Sequence, residues 1–380
     1  MRDSERTRRN RVAGRLIWLA VSASVFLACG RESEPAQRTL NIYNWVDEIG
    51  PGTYSEFEKR TGIHVNNEAL TSNRVLETKM LAGRSGFDLI VPSNNFLQHL
   101  TRAGVLQKLD KSQLPNLKNL DPEMLKRAAE FDPGNEYSIP YLWGTNGIGL
   151  ELNAVTAALG GPPPHSWGLL FDPKFASRLQ ACGIVWMQGE WLMTNFAMLH
   201  LGLDPSSERA EDLVRVEDLL GSTRDTVRYF DNYRGDADLV SGDICIEPAS
   251  AGSMLQAQAQ AVVMGSTRKI VYFVPDEGGM LWIDLLAIPV DAPHLDAAYK
   301  FLNFILQPAV IAQVTNATRF ANANRASLPW VKGELKQNPL IYPDPKTMAR
   351  LHVDQAESEA FSRLVTRMFT RIQNRRPRAR

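Results

Sequence analysis

The chain has 380 residues with 42 basic and 42 acidic side chains, and 44% of its residues are hydrophobic, the profile of an ordinary globular protein. Its formal neutrality excludes a long-range electrostatic pull on nucleic acid. With three cysteines and six scattered histidines it carries no metal-ligand spacing and no Cys-x-x-Cys pair.

Residues 1–29 read as an export signal rather than as part of the fold. Arg2, Arg6, Arg8, Arg9, Arg11 and Arg15 precede an apolar stretch from Leu16 to Ala28, which is short for a membrane span. The stretch ends in Phe26-Leu27-Ala28-Cys29-Gly30, similar to a bacterial lipobox, so lipidation of Cys29 is expected, with cleavage to a free protein as the rival. Removing this segment takes away six Arg and two acids and leaves 36 basic and 40 acidic groups, a net of −4. The expected location is the periplasm or the outer face of the cell membrane. There Cys182 and Cys245, each in a short apolar run, can form a disulfide or stay as two buried thiols.

The mature part alternates strand-like and helix-like runs. Leu40–Tyr43 reads as a strand, Gly52–Lys59 as a helix, Ile63–Asn67 as a strand, Arg74–Ala82 as a helix, Phe87–Val91 as a strand and Phe96–Ala103 as a helix. This order predicts a mostly parallel sheet covered on both faces. The Gly-rich run Tyr141–Leu150 reads as a strand crossing between lobes, and Trp167, after Pro162-Pro163-Pro164, as an interior residue. Strands follow at Ile184–Met187, Asp243–Glu247, Ile270–Val274 and Trp282–Ile288. Helices are expected at Trp191–Leu201, Gly252–Val263, Ala297–Leu306, from Pro308 onward, and at 357–373. The basic end 371–380, with Arg371, Arg375, Arg376, Arg378 and Arg380, reads as a frayed tail.

Trp45, Asp47 and Glu48 stand at the exit of the first strand, where open α/β sheets hold small ligands. An aromatic face beside carboxylates suits an organic cation. Trp282 and Asp284 repeat the pair at i and i+2 of a strand, hence on one face. Asp88, at a strand start, reads as structural; Ser93, Asn94 and Asn95, at that strand's exit, can meet a ligand or cap a helix. No phosphate-cradling loop or His-Glu-x-x-His motif is present, and neither an enzyme activity nor a cofactor or metal is expected.

Several stretches together carry a family resemblance: Leu40–Trp45, FEKRTGI at 57–63, GFDLIVPS at 86–93, NLDPE at 119–123, Thr145–Gly149, SGDICI at 241–246 and FANAN at 320–324. On these the chain resembles the bacterial extracellular polyamine-binding proteins of ABC importers, the putrescine- and spermidine-type receptors, from about residue 38 to 370. The resemblance implies an α/β, two-lobed periplasmic binding protein fold of type II with the ligand in the interlobe cleft. It implies one lobe from 38–143 plus about 262–312 and the other from 144–261 plus about 313–370. It further implies a small cationic amine ligand, an ABC permease in the inner membrane as partner, and a monomer. Cys182 and Cys245 fall at positions resembling a disulfide pair of the putrescine-type members.

Trp45, Asp47, Ser93, Trp282 and Asp284 match positions of ligand contacts in the family. Phe320 stands where Tyr is common, and Glu48 replaces a common Tyr. Ser250 and Ser253 replace a Trp and an Asp of the relatives, and Leu192 replaces an acid, with Glu190, Trp191 and Glu247 as candidate substitutes. A buried ammonium without a charged partner loses several kcal/mol to desolvation. The expectation is therefore a cationic or polyamine-like solute, gripped weakly if it is putrescine itself, with an amino acid derivative as the alternative ligand and sensing for a membrane receptor as the alternative role.

Overall fold

The computed structural model describes residues 38–46 and 48–375. The signal segment 1–29 with Cys29, Asp47, and residues 376–380 lie outside the described residues.

Among the described residues eleven strands form a single hydrogen-bonded sheet: β1 (Thr39–Trp45), β2 (His64–Leu70), β3 (Leu89–Ile90), β4 (Ser138–Glu151), β5 (Ile184–Trp186), β6 (Val227–Phe230), β7 (Ile246–Ser250), β8 (Ile270–Phe273), β9 (Gly279–Ala287), β10 (Ala321–Asn322) and β11 (Leu351–Val353). The main path runs β2-β1-β3-β9-β4-β7-β5-β6. At one end β1 pairs parallel with β2 and β3; at the other β5 pairs parallel with β6 and β7. The antiparallel pair β4–β9 joins these parallel blocks, with Ser138 opposite Ala287 and Asn146 opposite Met280. Parallel strands need crossover helices, and these cover the faces of each block.

β4 is 14 residues long and buried throughout. Its first half pairs with β9 and β10, its second half with β7 and β8. The two lobes therefore share one strand and divide along it. β8 lies within the segment expected in the first lobe, yet it is bonded to residues 148–151 of β4. β10 lies within the segment expected in the second lobe, yet it is bonded to Leu142 and Trp143. Strand partners are chosen by non-local contacts, which a chain-order reading does not see.

The local elements follow from ordinary signals. Helix Thr53–Thr61 starts after Gly52 and ends at Gly62, both with positive φ, and buries Phe57 against Phe301 and Phe304. Asp88 accepts hydrogen bonds from the backbone N–H of Asn41 at 2.7 Å and of His294 at 2.5 Å, the structural role expected of it. Trp167 is fully buried, stacked on Phe196 at 4.1 Å, and donates its indole N–H to the Gly278 carbonyl.

Cys182 and Cys245 form a disulfide that closes a span of 63 residues in the second lobe. A closed loop of that size stabilises the fold by about 4 kcal/mol in the chain-entropy description. The frayed tail expected from 371 onward is corrected in part. Helix Glu359–Asn374 includes Arg371, which grips Glu217 through two hydrogen bonds of 2.8 and 2.6 Å, and Arg375 donates to the Gly221 carbonyl. The helix buries Phe361, Val365, Met368, Phe369 and Ile372, and that apolar stripe holds it in place. Among the described residues no helix is long and apolar enough to cross a membrane.

Candidate functional site

A cavity of about 400 Å³ opens where β1, β4, β7 and β9 meet, lined by side chains from both halves of the sheet. Of the residues singled out from sequence, it brings together Trp45, Glu48, Ser93, Trp191, Glu247, Ser250, Ser253, Trp282 and Asp284. Asp47 is outside the described residues.

Trp45 ends β1, and the chain turns at once, the N–H of Glu48 reaching the Trp45 carbonyl. The turn brings Glu48, only 5% exposed, to the cavity wall, and its carbonyl accepts from the Tyr141 hydroxyl at 2.6 Å. Burial, followed by the nearby charges of Tyr54, Glu48 and Asp284, keeps the Tyr141 hydroxyl protonated far above its ordinary range. Ser93 stands at the cap position of helix Asn94–Arg102 but makes no side-chain cap. Its hydroxyl donates instead to Asp284 at 2.5 Å and accepts from the Asn73 amide at 2.8 Å. Asn73, Ser93 and Asp284 thus form a chain that aims a 4%-exposed carboxylate into the cavity. The contact spans 191 residues of sequence, so no local signal announces it.

Trp282 lies flat on β4. Gly144 faces it across the pair, and a Cβ there would come within 2.6 Å of the indole ring. Phe320, expected as a ligand contact, is not among the lining residues. It stands behind Trp282, edge-on at 5.2 Å and 5% exposed, and so holds the indole in place. Gly144→Ala is expected to push Trp282 off the wall and lower solute affinity about tenfold or more, because a sub-ångström misfit in a packed site is felt fully. Titration calorimetry beside a thermal melt checks this; unchanged affinity would show that the indole plane is not used.

The second-lobe wall differs from the expectation of one depleted of acids. Leu192, Ser250 and Ser253 do line it, and Ser250 spends its hydroxyl capping helix Ala251–Val263. Behind them stand three carboxylates. Glu247 on β7 is joined by Asp231 and Asp236 from the loop and helix that follow β6. Burial, and then the charge of Asp236, raises the Glu247 carboxyl well above the usual carboxylate range. Asp231 and Asp236 escaped sequence reading because acids at a helix start are ordinary capping residues. Asp231 does accept from the backbone N–H groups of Tyr233 and Arg234.

Three ties cross the cleft. Arg74 of helix Asn73–Ala82 donates to Glu190 of helix Glu190–His200 at 2.8 Å. The Tyr233 hydroxyl donates to the Thr71 carbonyl at 2.5 Å. Asp354, following β11, accepts from Asn95 at 2.7 Å and from Asn195 at 3.0 Å. Burial pushes the Asp354 carboxyl up to about 6, opposed by the Asn195 hydrogen bond and the charge of His99. Among the described residues no group of three or more His, Cys, Asp or Glu side chains is set to hold a metal ion.

The family model described as "Bacterial extracellular solute-binding protein" matches residues 53–343. The putrescine-binding periplasmic protein PotF of Escherichia coli is 40% identical over 365 residues, covering 96% of each chain. The putrescine-binding periplasmic protein SpuD of Pseudomonas aeruginosa is 37% identical, covering 94% of this chain and 97% of its own. A solved structure described as a putative spermidine/putrescine ABC transporter from Listeria monocytogenes superposes with a TM-score of 0.80 at 27% identity, covering 89% of this chain and all of the other. The fold is the two-lobed type II periplasmic binding protein fold, which captures solutes outside the cytoplasm for ABC import and performs no covalent chemistry. The chain belongs to the bacterial extracellular solute-binding protein family.

Proposed function

We propose that the solute is an organic cation of the polyamine class, held in the cleft between Trp45 and Trp282 and neutralised by the surrounding carboxylates. One observation carries this reading. Among the described residues lining the cavity there are seven acids, Glu48, Glu190, Asp231, Asp236, Glu247, Asp284 and Asp354, against one basic side chain, Arg74, itself paired with Glu190. An amino acid would set its carboxylate into this field, which repels it. An alkylammonium instead gains charge-assisted hydrogen bonds and an indole face of order 1–2 kcal/mol when water is excluded. The names of PotF and SpuD as putrescine-binding proteins support the same class.

Contacts from both lobes would favour the closed form, which Arg74–Glu190 and Tyr233–Thr71 already tie. Titration calorimetry against putrescine, spermidine, an acylated polyamine, a monoamine and an amino acid tests the reading. At least one polycation should bind with a dissociation constant near or below about 1 μM, a binding free energy of about −8 kcal/mol. An amino acid or anion that binds while every amine fails would overturn it.

A further inference from the structure

We propose that Asp354 is a positioning residue that latches the two lobes onto each other, its carboxylate joining Asn95 of the first lobe to Asn195 of the second. The inference goes beyond the amine reading and needs only that the lobes close on a solute.

Three buried side-chain amides converge on this one residue. Asn94 and Asn95 open helix Asn94–Arg102, and Asn195 sits in the middle of helix Glu190–His200. Asparagine is a poor helix former, and a buried amide without partners is unfavourable, so Asn195 needs a partner to justify its place. Asp354 is that partner. Asn94 donates to its backbone carbonyl, Asn95 to its Oδ2 at 2.7 Å and Asn195 to its Oδ1 at 3.0 Å. Each carboxylate oxygen is thus held by a different lobe.

The first-lobe half of the latch is preset. Asn94 Oδ1 accepts from the Ile283 backbone N–H at 3.3 Å, and Asn95 Oδ1 from the Phe96 backbone N–H at 2.9 Å. Those bonds occupy the amide oxygens and leave both NH2 groups facing Asp354. The chain then crosses between lobes. The Ala356 N–H reaches Gln98 of the first-lobe helix at 3.1 Å, whereas the N–H and hydroxyl of Ser358 donate to Glu208 of the second lobe at 2.6 and 2.7 Å. Helix Glu359–Asn374 follows, with its apolar stripe in the second-lobe core. Residues 354–358 therefore form a strap, and the Asp354–Asn195 bond is where its first-lobe end grips a helix of the second lobe. Burial pushes the Asp354 carboxyl up to about 6, so at neutral pH it is an anion, and an anion shielded from water needs donors at both oxygens.

Such a latch forms after the solute has entered, so it acts on escape rather than entry. The test is stopped-flow binding of putrescine and spermidine to the wild type, N195A and N195D, with small-angle scattering and a thermal melt of each protein. Asn195 does not line the cavity, so neither substitution removes a solute contact. N195A should speed dissociation of the amine that binds by about tenfold or more, with the association rate within about twofold of wild type. N195D has the shape of Asn and leaves no packing defect, and it sets a second carboxylate against Asp354. It should dissociate faster still, and the empty variant should show a larger radius of gyration than wild type. Dissociation rates equal to wild type in both variants would overturn the latch, as would a loss confined to association. If neither amine binds, the amine reading fails and scattering alone decides the latch: a larger radius in N195D supports it, and equal radii in all three proteins overturn it.

Discussion

Asp284→Asn should lower affinity for the preferred amine by about 100-fold or more while leaving the protein folded. The carboxylate is 4% exposed and already fixed by the Ser93 hydroxyl at 2.5 Å, so no ordering remains to be done when a ligand arrives. Removing one member of a buried charge pair costs roughly 3–5 kcal/mol, and every 1.4 kcal/mol is tenfold in affinity. Asn keeps the shape and an acceptor for Ser93, so the loss isolates the charge. The empty variant should melt close to the wild-type temperature, because Asn keeps the packing and an acceptor for the Ser93 hydroxyl. Calorimetry and a melt of the empty protein check both statements. Affinity within threefold of wild type would take Asp284 out of the site.

The two ends of the cleft differ in how far sequence exposes them. β9 was legible as a strand, and its alternation put Trp282 and Asp284 on one face, because period two is a local property. The Gly-rich crossing strand and most helices were legible for the same reason, with ends displaced by a few residues. The expected strand Asp243–Glu247 in fact runs Ile246–Ser250. What sequence hides is partnership across distance. Ser93 carries the signal of a helix cap, and only the fold turns its hydroxyl to Asp284. Ser250 and Ser253 mark lost contacts when compared with relatives one position at a time. The acids that stand behind them come from a different element, and Asp236 meets Glu247 only through the packing of a helix on β7. Phe320 shows the converse: a position matched to a family contact serves here as the backing of Trp282. β8 and β10 likewise find their partners on β4 rather than along the chain.

Glu247→Gln should stabilise the empty protein and weaken the ligated one, with both effects growing as pH rises. Burial first, then Asp236, holds the Glu247 carboxyl protonated in the fold at pH values where the unfolded chain has released its proton. A raised acid of this kind favours folding least above its folded value. The penalty is absent below the unfolded glutamate value of about 4.3 and develops as pH climbs through the folded one. Gln never carries the charge, so the melting temperature of the variant should coincide with wild type near pH 4 and exceed it by roughly 1–3 °C at higher pH, if removing the buried charge recovers on the order of 1–2 kcal/mol. Asp354, pushed up to about 6, and Glu357, pushed up to about 9 by burial and by the Asp354 and Glu208 charges, bend both curves downward with pH, and the difference between variant and wild type cancels them. A bound ammonium reverses the balance at Glu247: it favours the charged carboxylate and expels the proton. Amine affinity should therefore rise with pH up to about 9, where alkylammonium groups stay charged. Calorimetry in buffers of different ionisation enthalpy should show proton release on binding to wild type and much less to the variant. A variant that melts below wild type at every pH, or identical proton release from both proteins, would mean that Glu247 is satisfied by the fold itself.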